Sequence, residues 1–397
     1  MLIGIVGKPS SGKSTFFKAA TLAEAEVSPR PFTTIKPNHA VGYVKVECPA
    51  ENSYKKKCNP REGYCLDGVR FVPVELLDVA GLVPGAHMGK GLGNQFLSDL
   101  GTADALLHIV DASGSTDEKG EEVEEGSHDV LKDVEFLEEE IDLWFFSIIQ
   151  KAWTDLAKRI RIEKKNVIRG IAGQFSGLKI TEEQVEKAIK ETKLNPENVG
   201  IWSGEDLKNL CKSMRKQSKP IIIIANKIDK KTSGKNYEKI KKAYPNILVI
   251  PCSAEAEYAL KMAAKKELID YIPGEKKFKI KGELTEGQKK GLEEVKKLLE
   301  KYGSTGVQEA LDQAVFKFLG YMAIFPGGVN KLEDSKGRVL PDCFLLPSGS
   351  TALDFAFRIH TDIGKNFIKA IDVKSKRVVG KEHELKHEDI VEIITRK

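Results

Sequence analysis

The segment from Gly7 to Thr15 combines glycine, lysine and hydroxyl side chains in a spacing suited to phosphate. It fits the pattern GxxxxGKS/T between an apolar run and a helical pattern. Glycines let backbone N–H groups approach phosphates, and a helix N-terminus adds its positive dipole end. An ordinary strand-to-helix turn would not need Lys and Ser together. The predicted phosphate-binding residues are Gly7, Lys8, Pro9, Ser10, Ser11, Gly12, Lys13, Ser14 and Thr15.

Chemical roles follow from the residue types at this loop and at two later segments. Lys13 is predicted to neutralise the β and γ phosphates, and the Ser14 hydroxyl to ligate Mg²⁺. Asp78 follows an apolar run, so it should hold Mg²⁺ through water, while Gly81 offers its N–H to the γ-phosphate. Thr34 is predicted to close on Mg²⁺ and the γ-phosphate in the triphosphate state. We interpret the neighbouring Thr33 as a capping or strand residue.

A second motif, Asn226-Lys227-Ile228-Asp229, follows another apolar run and predicts guanine as the base. The Asp229 carboxylate can accept hydrogen bonds from the guanine N1–H and exocyclic amine, which adenine does not present together. Asn226 and Lys227 are expected to brace the loop and pack on the base. Ser253 and Ala254 are expected to offer a backbone N–H to guanine O6.

Short, continuous apolar runs alternate with helical patterns, which predicts a doubly wound, mostly parallel α/β sheet of the P-loop NTPase class. The predicted strands are Leu2–Val6, Val74–Leu77, Ala105–Val110, Ile221–Ala225 and Ile247–Ile250. The nucleotide domain is predicted to comprise residues 1–116 and 220–320. A helical insertion, residues 117–219, interrupts it, with one long amphipathic helix from Leu131 to Leu156.

Capping-box patterns mark four further helix starts, and a smaller domain follows them. The paired residues are Thr181/Gln184, Ser203/Asp206, Thr285/Gln288 and Thr305/Gln308. Residues 321–397 predict a ubiquitin-like β-grasp domain, with a helix from Thr351 to Ile363 that stops at Gly364 and a closing strand at Ile390–Ile394.

Composition sets the broad class of protein. The chain of 397 residues is 41% hydrophobic and 30% charged, and no run approaches the ~20 apolar residues of a membrane span. The opening residues lack a basic leader, so we predict a cytoplasmic protein without a membrane partner. The net charge of +5 permits RNA as a partner without indicating it.

The motifs together resemble the Obg superfamily of GTPases, and most closely its YchF-related branch. The resemblance lies in Phe32-Thr33-Thr34-Ile35-Lys36-Pro37-Asn38 and in the run Gly81-Leu82-Val83-Pro84-Gly85-Ala86-His87 leading to Gly89-Lys90-Gly91-Leu92-Gly93-Asn94-Gln95-Phe96-Leu97. The insertion is similar to that branch's coiled-coil insert. Leu340-Pro341-Asp342, Leu346 to Thr351 and Ile359-His360-Thr361 resemble a TGS domain. The resemblance implies a GTPase that uses GTP and Mg²⁺ and contacts ribosomes or structured RNA.

Departures from the family pattern qualify these expectations. YchF proteins proper replace the guanine-reading motif and prefer ATP, whereas Asp229 implies GTP for this chain. Ser10 stands where Asn is usual, which leaves potassium dependence open. Leu82 occupies the place of a water-orienting glutamine, so hydrolysis is expected to be slow and accelerated by a partner. His87 is either a water-orienting group or, more simply, a surface histidine.

Three cysteines stand close in sequence, at Cys48, Cys58 and Cys65, with His39 upstream. Zinc is one interpretation, but the paired CxxC spacing of zinc knuckles is missing, so free thiols are the simpler expectation. Three functions stay open at this point. They are a regulatory GTPase acting on ribosomes or RNA, a metabolic P-loop ATPase or kinase, and an adaptor that senses GTP with negligible turnover. The oligomeric state is not determined.

Overall fold

The apolar runs of the first two thirds of the chain form one seven-stranded sheet with the order β2-β4-β1-β5-β6-β7, and β3 pairs with β4. The computed structural model describes residues 1–21, 39–79, 100–163 and 166–396. The strands are β1 Leu2–Val6, β2 His39–Glu47, β3 Tyr64–Leu66, β4 Val69–Asp78, β5 Ala105–Asp111, β6 Ile221–Asn226 and β7 Val249–Pro251.

Strands β4, β1, β5, β6 and β7 run parallel, and β2 and β3 pair antiparallel with β4. The five predicted strands are confirmed, although the last begins at Val249 instead of Ile247. The Ile247 N–H instead closes a turn onto the Tyr244 carbonyl. Near-complete burial of β1 and β5 explains their continuous apolar sequence, since helices cover both faces.

Helices of the nucleotide domain lie on both faces of this sheet or next to it. They are α1 Lys13–Thr21, α2 Pro49–Asn52, α7 Ser233–Ala243, α8 Ala254–Lys265, α9 Glu286–Tyr302 and α10 Val307–Asp312, which continues into a π-helical turn Gln313–Phe318. A small antiparallel pair, β8 Ile269–Tyr271 and β9 Phe278–Ile280, precedes α9.

The insertion consists of α3 Val130–Glu163, α4 Val167–Gln174, α5 Glu182–Thr192 and α6 Gly204–Ser218, with two 3-10 helical turns between them. The long predicted helix is confirmed and extends to Glu163. The capping boxes at Thr181 and Ser203 are present. Trp144 is buried in the insertion core, and Trp153 stacks on Trp202, so both tryptophans of α3 serve internal packing.

The predicted capping box at Thr305 is wrong, whereas the one at Thr285 is present. The residue before α10 is Gly306, which has φ +86 and no side-chain cap. Thr305 is fully buried and its hydroxyl donates to the Glu257 carboxylate at 2.5 Å instead. A buried acceptor nearby therefore outcompetes the local cap.

A second, five-stranded sheet carries the C-terminal domain in the order β11-β10-β14-β12-β13. Its strands are β10 Tyr321–Pro326, β11 Phe344–Pro347, β12 Phe367–Asp372, β13 Arg377–Val379 and β14 Asp389–Thr395. Helix α11, Ala352–Ile359, lies against it and begins with a capping box at Thr351. The mixed sheet crossed by one helix matches the predicted β-grasp fold.

The single predicted helix from Thr351 to Ile363 is wrong, because the chain breaks at His360. That residue is extended, and its ring Nδ1 accepts a hydrogen bond from the Asp362 N–H, which starts a second helix, α12 Thr361–Lys365. Gly364 lies inside α12 and does not end it. A Cβ there would approach the Phe357 ring at 2.3 Å, so close packing explains this glycine.

One apolar core runs from the nucleotide sheet into the C-terminal domain. It includes Ile5 and Leu76 from the first sheet, Leu311 from α10, and Phe325 and Ile390 from the second sheet. The C-terminal domain is therefore packed against the nucleotide domain. The exact boundaries at residues 117, 220 and 321 stay predictions. Among the helices of the described ranges, none is both long and apolar enough to cross a membrane.

Candidate nucleotide site

The predicted phosphate loop lies at the carboxyl edge of the first sheet, between β1 and α1. In the parallel pairing of β1 with β4, Ile5 is opposite Asp78, so Asp78 leaves its strand beside the loop. Lys13 is the first residue of α1. The sheet thus brings Lys13, Ser14 and Asp78 to one edge, which is where ligands bind in parallel α/β sheets.

Gly12 lies where the phosphate loop contacts the base loop, which is the segment Asn226 to Asp229. The contact requires a glycine at this position. Its φ is +93, and a Cβ at this position would lie 2.2 Å from the Asn226 Nδ2. That amide donates to the Ser11 carbonyl at 3.0 Å, and the Asn226 Oδ1 accepts from the Ala254 N–H at 3.1 Å. Asn226 therefore joins the phosphate loop to the turn after β7.

Lys13 is a buried cation within this edge. Its side chain donates to the Lys8 carbonyl at 2.7 Å, and the residue is 8% exposed. Burial lowers the pKa of Lys13 to about 8, which the charge of Asp78 opposes in part. Burial likewise raises the pKa of Asp78, which the charge of Lys13 opposes. Burial therefore removes water from the Lys13 ammonium group, and the Asp78 carboxylate compensates only part of that lost solvation.

The base loop is held in place from two sides. The Ser253 hydroxyl donates to the Asp229 Oδ1 at 2.7 Å, and the Ile228 N–H donates to the Cys252 carbonyl at 3.0 Å. Asp229 itself is exposed. Its carboxylate is therefore oriented by Ser253 and keeps access to solvent.

Sequence reasoning missed Asp111, which organises the loop from the neighbouring strand. Its buried carboxylate accepts from the Lys227 Nζ at 2.9 Å and from the Thr116 hydroxyl at 2.8 Å, as well as from Ser113. Burial alone would raise its pKa, but the hydrogen bonds from Ser113 and Lys227 hold the pKa of Asp111 below its ordinary value. The available signal was its position at the carboxyl end of β5.

Lys8 belongs to the phosphate loop, but its side chain points into the insertion. The Nζ donates to the Thr116 carbonyl at 2.7 Å and forms an ion pair with Asp133 at 2.8 Å, and both side chains are buried. Asp133 lies in the first turn of α3 and also contacts His128 at 2.7 Å. Any contact of Lys8 with nucleotide would therefore involve its backbone, and no local motif pointed to Asp133.

The other predicted residues lie where the motifs suggest, or outside the described residues. Ser10 on the loop and Ser14 in the first turn of α1 are exposed, while Pro9 and Thr15 are partly buried. Gly7 has φ +150, and a Cβ there would lie 2.4 Å from the Ile109 carbonyl oxygen. The predictions for Thr33, Thr34, Gly81, Leu82 and His87 concern residues outside the described ranges.

Comparison with known families agrees with this arrangement. A family model described as a 50S ribosome-binding GTPase matches residues 2–141. A model of the G4 motif-containing domain of YGR210-like, Obg-like GTPases matches residues 224–328, and a TGS domain model matches residues 335–395. The three matches follow the order of the nucleotide domain and the C-terminal domain along the chain.

Full-length relatives support the same conclusion. A GTP-binding protein of Methanocaldococcus jannaschii is 46% identical over 395 residues, covering 99% of both chains. A GTP-binding protein of Schizosaccharomyces pombe is 37% identical, covering 89% of this chain and 88% of its own. The crystal structure of a GTP-binding protein from Pyrococcus horikoshii is 36% identical, with a TM-score of 0.79 and 100% of both chains covered.

The parallel sheet, phosphate loop and base loop define a P-loop GTP-binding protein. The chain belongs to the Obg-like, YchF-related family of GTPases and carries a C-terminal TGS domain. Family and fold, as expected from the sequence, are thus confirmed, whereas the roles of individual site residues stay predictions.

Proposed function

We propose that this protein hydrolyses GTP slowly and that its nucleotide state regulates docking on ribosomes or structured RNA in the cytoplasm. The observation that carries the proposal is the base loop, in which Ser253 orients Asp229 and Asn226 ties the loop to the phosphate loop. A preorganised carboxylate next to a phosphate loop selects a nucleotide whose base presents two donors.

Guanine recognition is assigned to the base loop. Asp229 accepts from the base N1–H and exocyclic amine, while Lys227, fixed by Asp111, lies along the base. The Ala254 N–H donates to Asn226 in this structure. Its use for guanine O6 therefore requires this bond to be shared or exchanged when the base binds.

Phosphate and magnesium binding are assigned to the phosphate loop and the end of β4. The Ser14 hydroxyl and the Asp78 carboxylate meet at one edge with a buried Lys13, a donor set that fits a hard cation with phosphate oxygens. When bound, Mg²⁺ supplies charge neutralisation of the phosphates. Lys13 binds the β and γ phosphates, and its pKa rises again when the anion replaces lost solvation.

Hydrolysis transfers the γ-phosphoryl group of GTP to water, with GDP as the leaving group, and we expect it to be slow in the isolated protein. Thr34 and Gly81 are proposed to close on the γ-phosphate, while Leu82 has no group that orients water. An activating protein or RNA partner is therefore proposed to complete the site. Potassium dependence stays open because Ser10 stands at the position in question.

Communication with the rest of the molecule is proposed to pass through Lys8. Its buried ion pair with Asp133 connects the phosphate loop directly to the first turn of α3, the longest helix of the insertion. A shift of the loop on γ-phosphate loss would move or strain this contact. The insertion and the TGS domain are the proposed docking surfaces.

Ribosomes are proposed as the partner because of the matched families and one relative. The family model matching residues 2–141 is described as ribosome-binding, and a Bacillus subtilis relative, 28% identical over 92% of this chain, is named ribosome-binding ATPase YchF. The name of that relative also makes ATP the alternative nucleotide for this chain. Human Obg-like ATPase 1, 27% identical, raises it as well. Asp229 favours GTP.

The experiment combines single-turnover hydrolysis with ribosome co-sedimentation of the full chain. We expect GTP, and not ATP, to be hydrolysed above background, with the activity lost in Lys13→Ala and kept in the control Lys18→Ala on the exposed side of α1. We expect more protein on ribosomes with a GTP analogue than with GDP. Equal sedimentation in both states would remove the regulatory proposal, and tight ATP binding would remove the nucleotide assignment.

A further inference from the structure

Three cysteines and one glutamate converge at the edge of the first sheet opposite the nucleotide site. Cys48 follows β2 and precedes α2, Glu51 lies in the first turn of α2, Cys58 is in the following loop, and Cys65 is on β3. Their ligand atoms all lie within 4.8 Å of one another. The cluster combines residues from three separate pieces of the chain.

The local backbone fixes these side chains around the turn between β3 and β4. The Cys48 N–H donates to the Gly68 carbonyl at 2.8 Å, and the Gly68 N–H donates to the Glu51 Oε2 at 2.8 Å. The other carboxylate oxygen, Oε1, lies 3.4 Å from the Cys65 Sγ. Because Cys48 and Glu51 are three residues apart at a helix start, they share one face.

His39, which the zinc interpretation of the sequence placed near the cysteines, does not take part. His39 begins β2 and pairs with Leu77, whereas Glu47 at the other end of β2 pairs with Val69. His39 is therefore separated from the cysteines by the length of the strand, and Glu51 provides the fourth donor. Glu51 stands where the second cysteine of a CxxC knuckle would stand.

The spacing of the donor atoms suits a tetrahedral metal ion. Sulfur atoms bound to zinc at ~2.3 Å from a common centre are about 3.8 Å apart, so a limit of 4.8 Å requires only small side-chain adjustments. Three thiols cannot all be satisfied by one disulfide, and all three are free here.

We propose that Cys48, Glu51, Cys58 and Cys65 bind one Zn²⁺ as a structural site. Thiolate ligands favour zinc over magnesium or calcium, and four protein ligands leave no open position for catalysis. Three thiolates and a carboxylate exceed the charge of one Zn²⁺ by two negative charges. The buried Arg70, whose Nη1 lies 3.8 Å from the Cys58 Sγ, offsets part of this excess.

The metal would hold in place the segment between Cys58 and Cys65, which contacts the TGS domain. Between the ligands Cys58 and Cys65, the Arg61 N–H donates to the Pro341 carbonyl at 2.8 Å. The Asn59 N–H donates to the Val339 carbonyl at 3.0 Å. Zinc binding at the cysteines therefore holds the contact between the two domains.

The first test measures metal in the full chain, purified in reductant without chelator. We expect about one zinc per chain by elemental mass spectrometry, and a cobalt-exchanged sample with the thiolate charge-transfer and d–d absorption of a tetrahedral site. A chain that contains no zinc, and binds neither added zinc nor cobalt, overturns the proposal. A disulfide between two of the three cysteines, present although the buffer contains reductant, would also overturn the proposal.

The second test uses variants with a matched control. We expect Cys58→Ser and Glu51→Gln to lose bound zinc, while Cys343→Ala, a cysteine near the same interface but outside the cluster, keeps it. Zinc loss from the control as well would overturn the assigned ligand set. GTP titration of each variant establishes that the nucleotide domain is folded.

Hydrogen exchange provides a readout that does not depend on the variants. Removing zinc from the wild-type chain should raise amide exchange in residues 53–66 and 338–346. Residues 204–218, which form α6 in the insertion, should be unaffected. Unchanged exchange at residues 53–66 in a sample shown to have lost its zinc would contradict a structural role.

Discussion

At each of two opposite edges of the first sheet, a buried cationic side chain donates hydrogen bonds to backbone carbonyls. The two cations have different roles. At the carboxyl edge, Lys13 donates to the Lys8 carbonyl. At the opposite edge, Arg70 near the start of β4 donates to the Leu340 and Pro341 carbonyls at 3.2 and 2.9 Å. Strand β4 connects the two edges, from Arg70 to Asp78.

The two edges differ in how completely nearby groups compensate the buried positive charge. Burial lowers the pKa of Lys13 to about 8 because desolvation outweighs the attraction of Asp78, as expected where an anion is to bind. Carbonyls of another domain already accept hydrogen bonds from the Arg70 guanidinium group. Lys13 is therefore available to bind an anionic ligand, whereas Arg70 stabilises the interface between the two domains. Changes at one edge should therefore spare the function of the other.

The largest effect is expected for Asp229→Asn at the base loop. Losing two charge-assisted hydrogen bonds of about 1.5–3 kcal/mol each should weaken GTP binding by roughly 10²–10⁴-fold and abolish the preference over ATP. Fluorescence titration with both nucleotides measures this. The control Asp270→Asn alters an exposed carboxylate on β8 and should bind GTP normally. Full GTP affinity in Asp229→Asn would disprove its role.

The next largest effect is expected for Arg70→Met at the opposite edge. The change leaves two buried carbonyls without their donor, which should lower the free energy of unfolding by about 2–4 kcal/mol. GTP affinity should be unchanged. Denaturant unfolding and GTP titration check both statements.

Arg61→Met is the matched control for that change. Arg61 is half exposed, and its ion pair with Asp342 at 3.1 Å should contribute less than about 1 kcal/mol. A GTP affinity that fell in Arg70→Met but not in Arg61→Met would show that the two edges are coupled.

A smaller effect is expected for Gly12→Ala, where the phosphate loop meets the base loop. The φ of +93 and the approach to the Asn226 Nδ2 should cost about 1–3 kcal/mol of stability and weaken nucleotide binding. Thermal unfolding with and without GTP measures it. Gly173→Ala in α4, where a Cβ meets no atom within 4 Å, should be neutral or slightly stabilising. Equal behaviour of the two variants would contradict the steric argument.

The smallest effect concerns pH. Below about pH 8, Lys13 is charged in both the free and the bound protein, so its charge adds no pH dependence. Above that pH the free protein loses a proton that GTP binding must restore. The dissociation constant should then rise by up to about tenfold per pH unit. Calorimetry in two buffers of different ionisation enthalpy should show proton uptake near pH 8.5.

Lys13→Arg separates this effect from titration of the nucleotide, because arginine stays protonated throughout. Proton uptake above pH 8 should be absent in that variant, if it still binds GTP. The same uptake in both proteins would assign the proton to another group.

Local motifs explain what could be predicted at the nucleotide site. Strand bounds such as Leu2–Val6 followed from continuous apolar runs, and the base loop followed from a short motif after a strand. The ion pairs of Asp111 and Asp133 could not be predicted from the sequence, since their partners Lys227 and Lys8 are more than a hundred residues away along the chain. The missing cap at Thr305 was also decided by a residue distant in sequence, Glu257.

The sequence by itself determined the class of fold and the order of the motifs, and it predicted guanine as the base, because phosphate loops and base loops are local and keep their spacing. Tertiary structure alone decided that Lys8 faces the insertion and that Glu51, not His39, joins the three cysteines. The physical reason is that ion pairs and ligand clusters depend on distance in space. Strand pairing and domain packing set that distance, and spacing along the chain does not encode it.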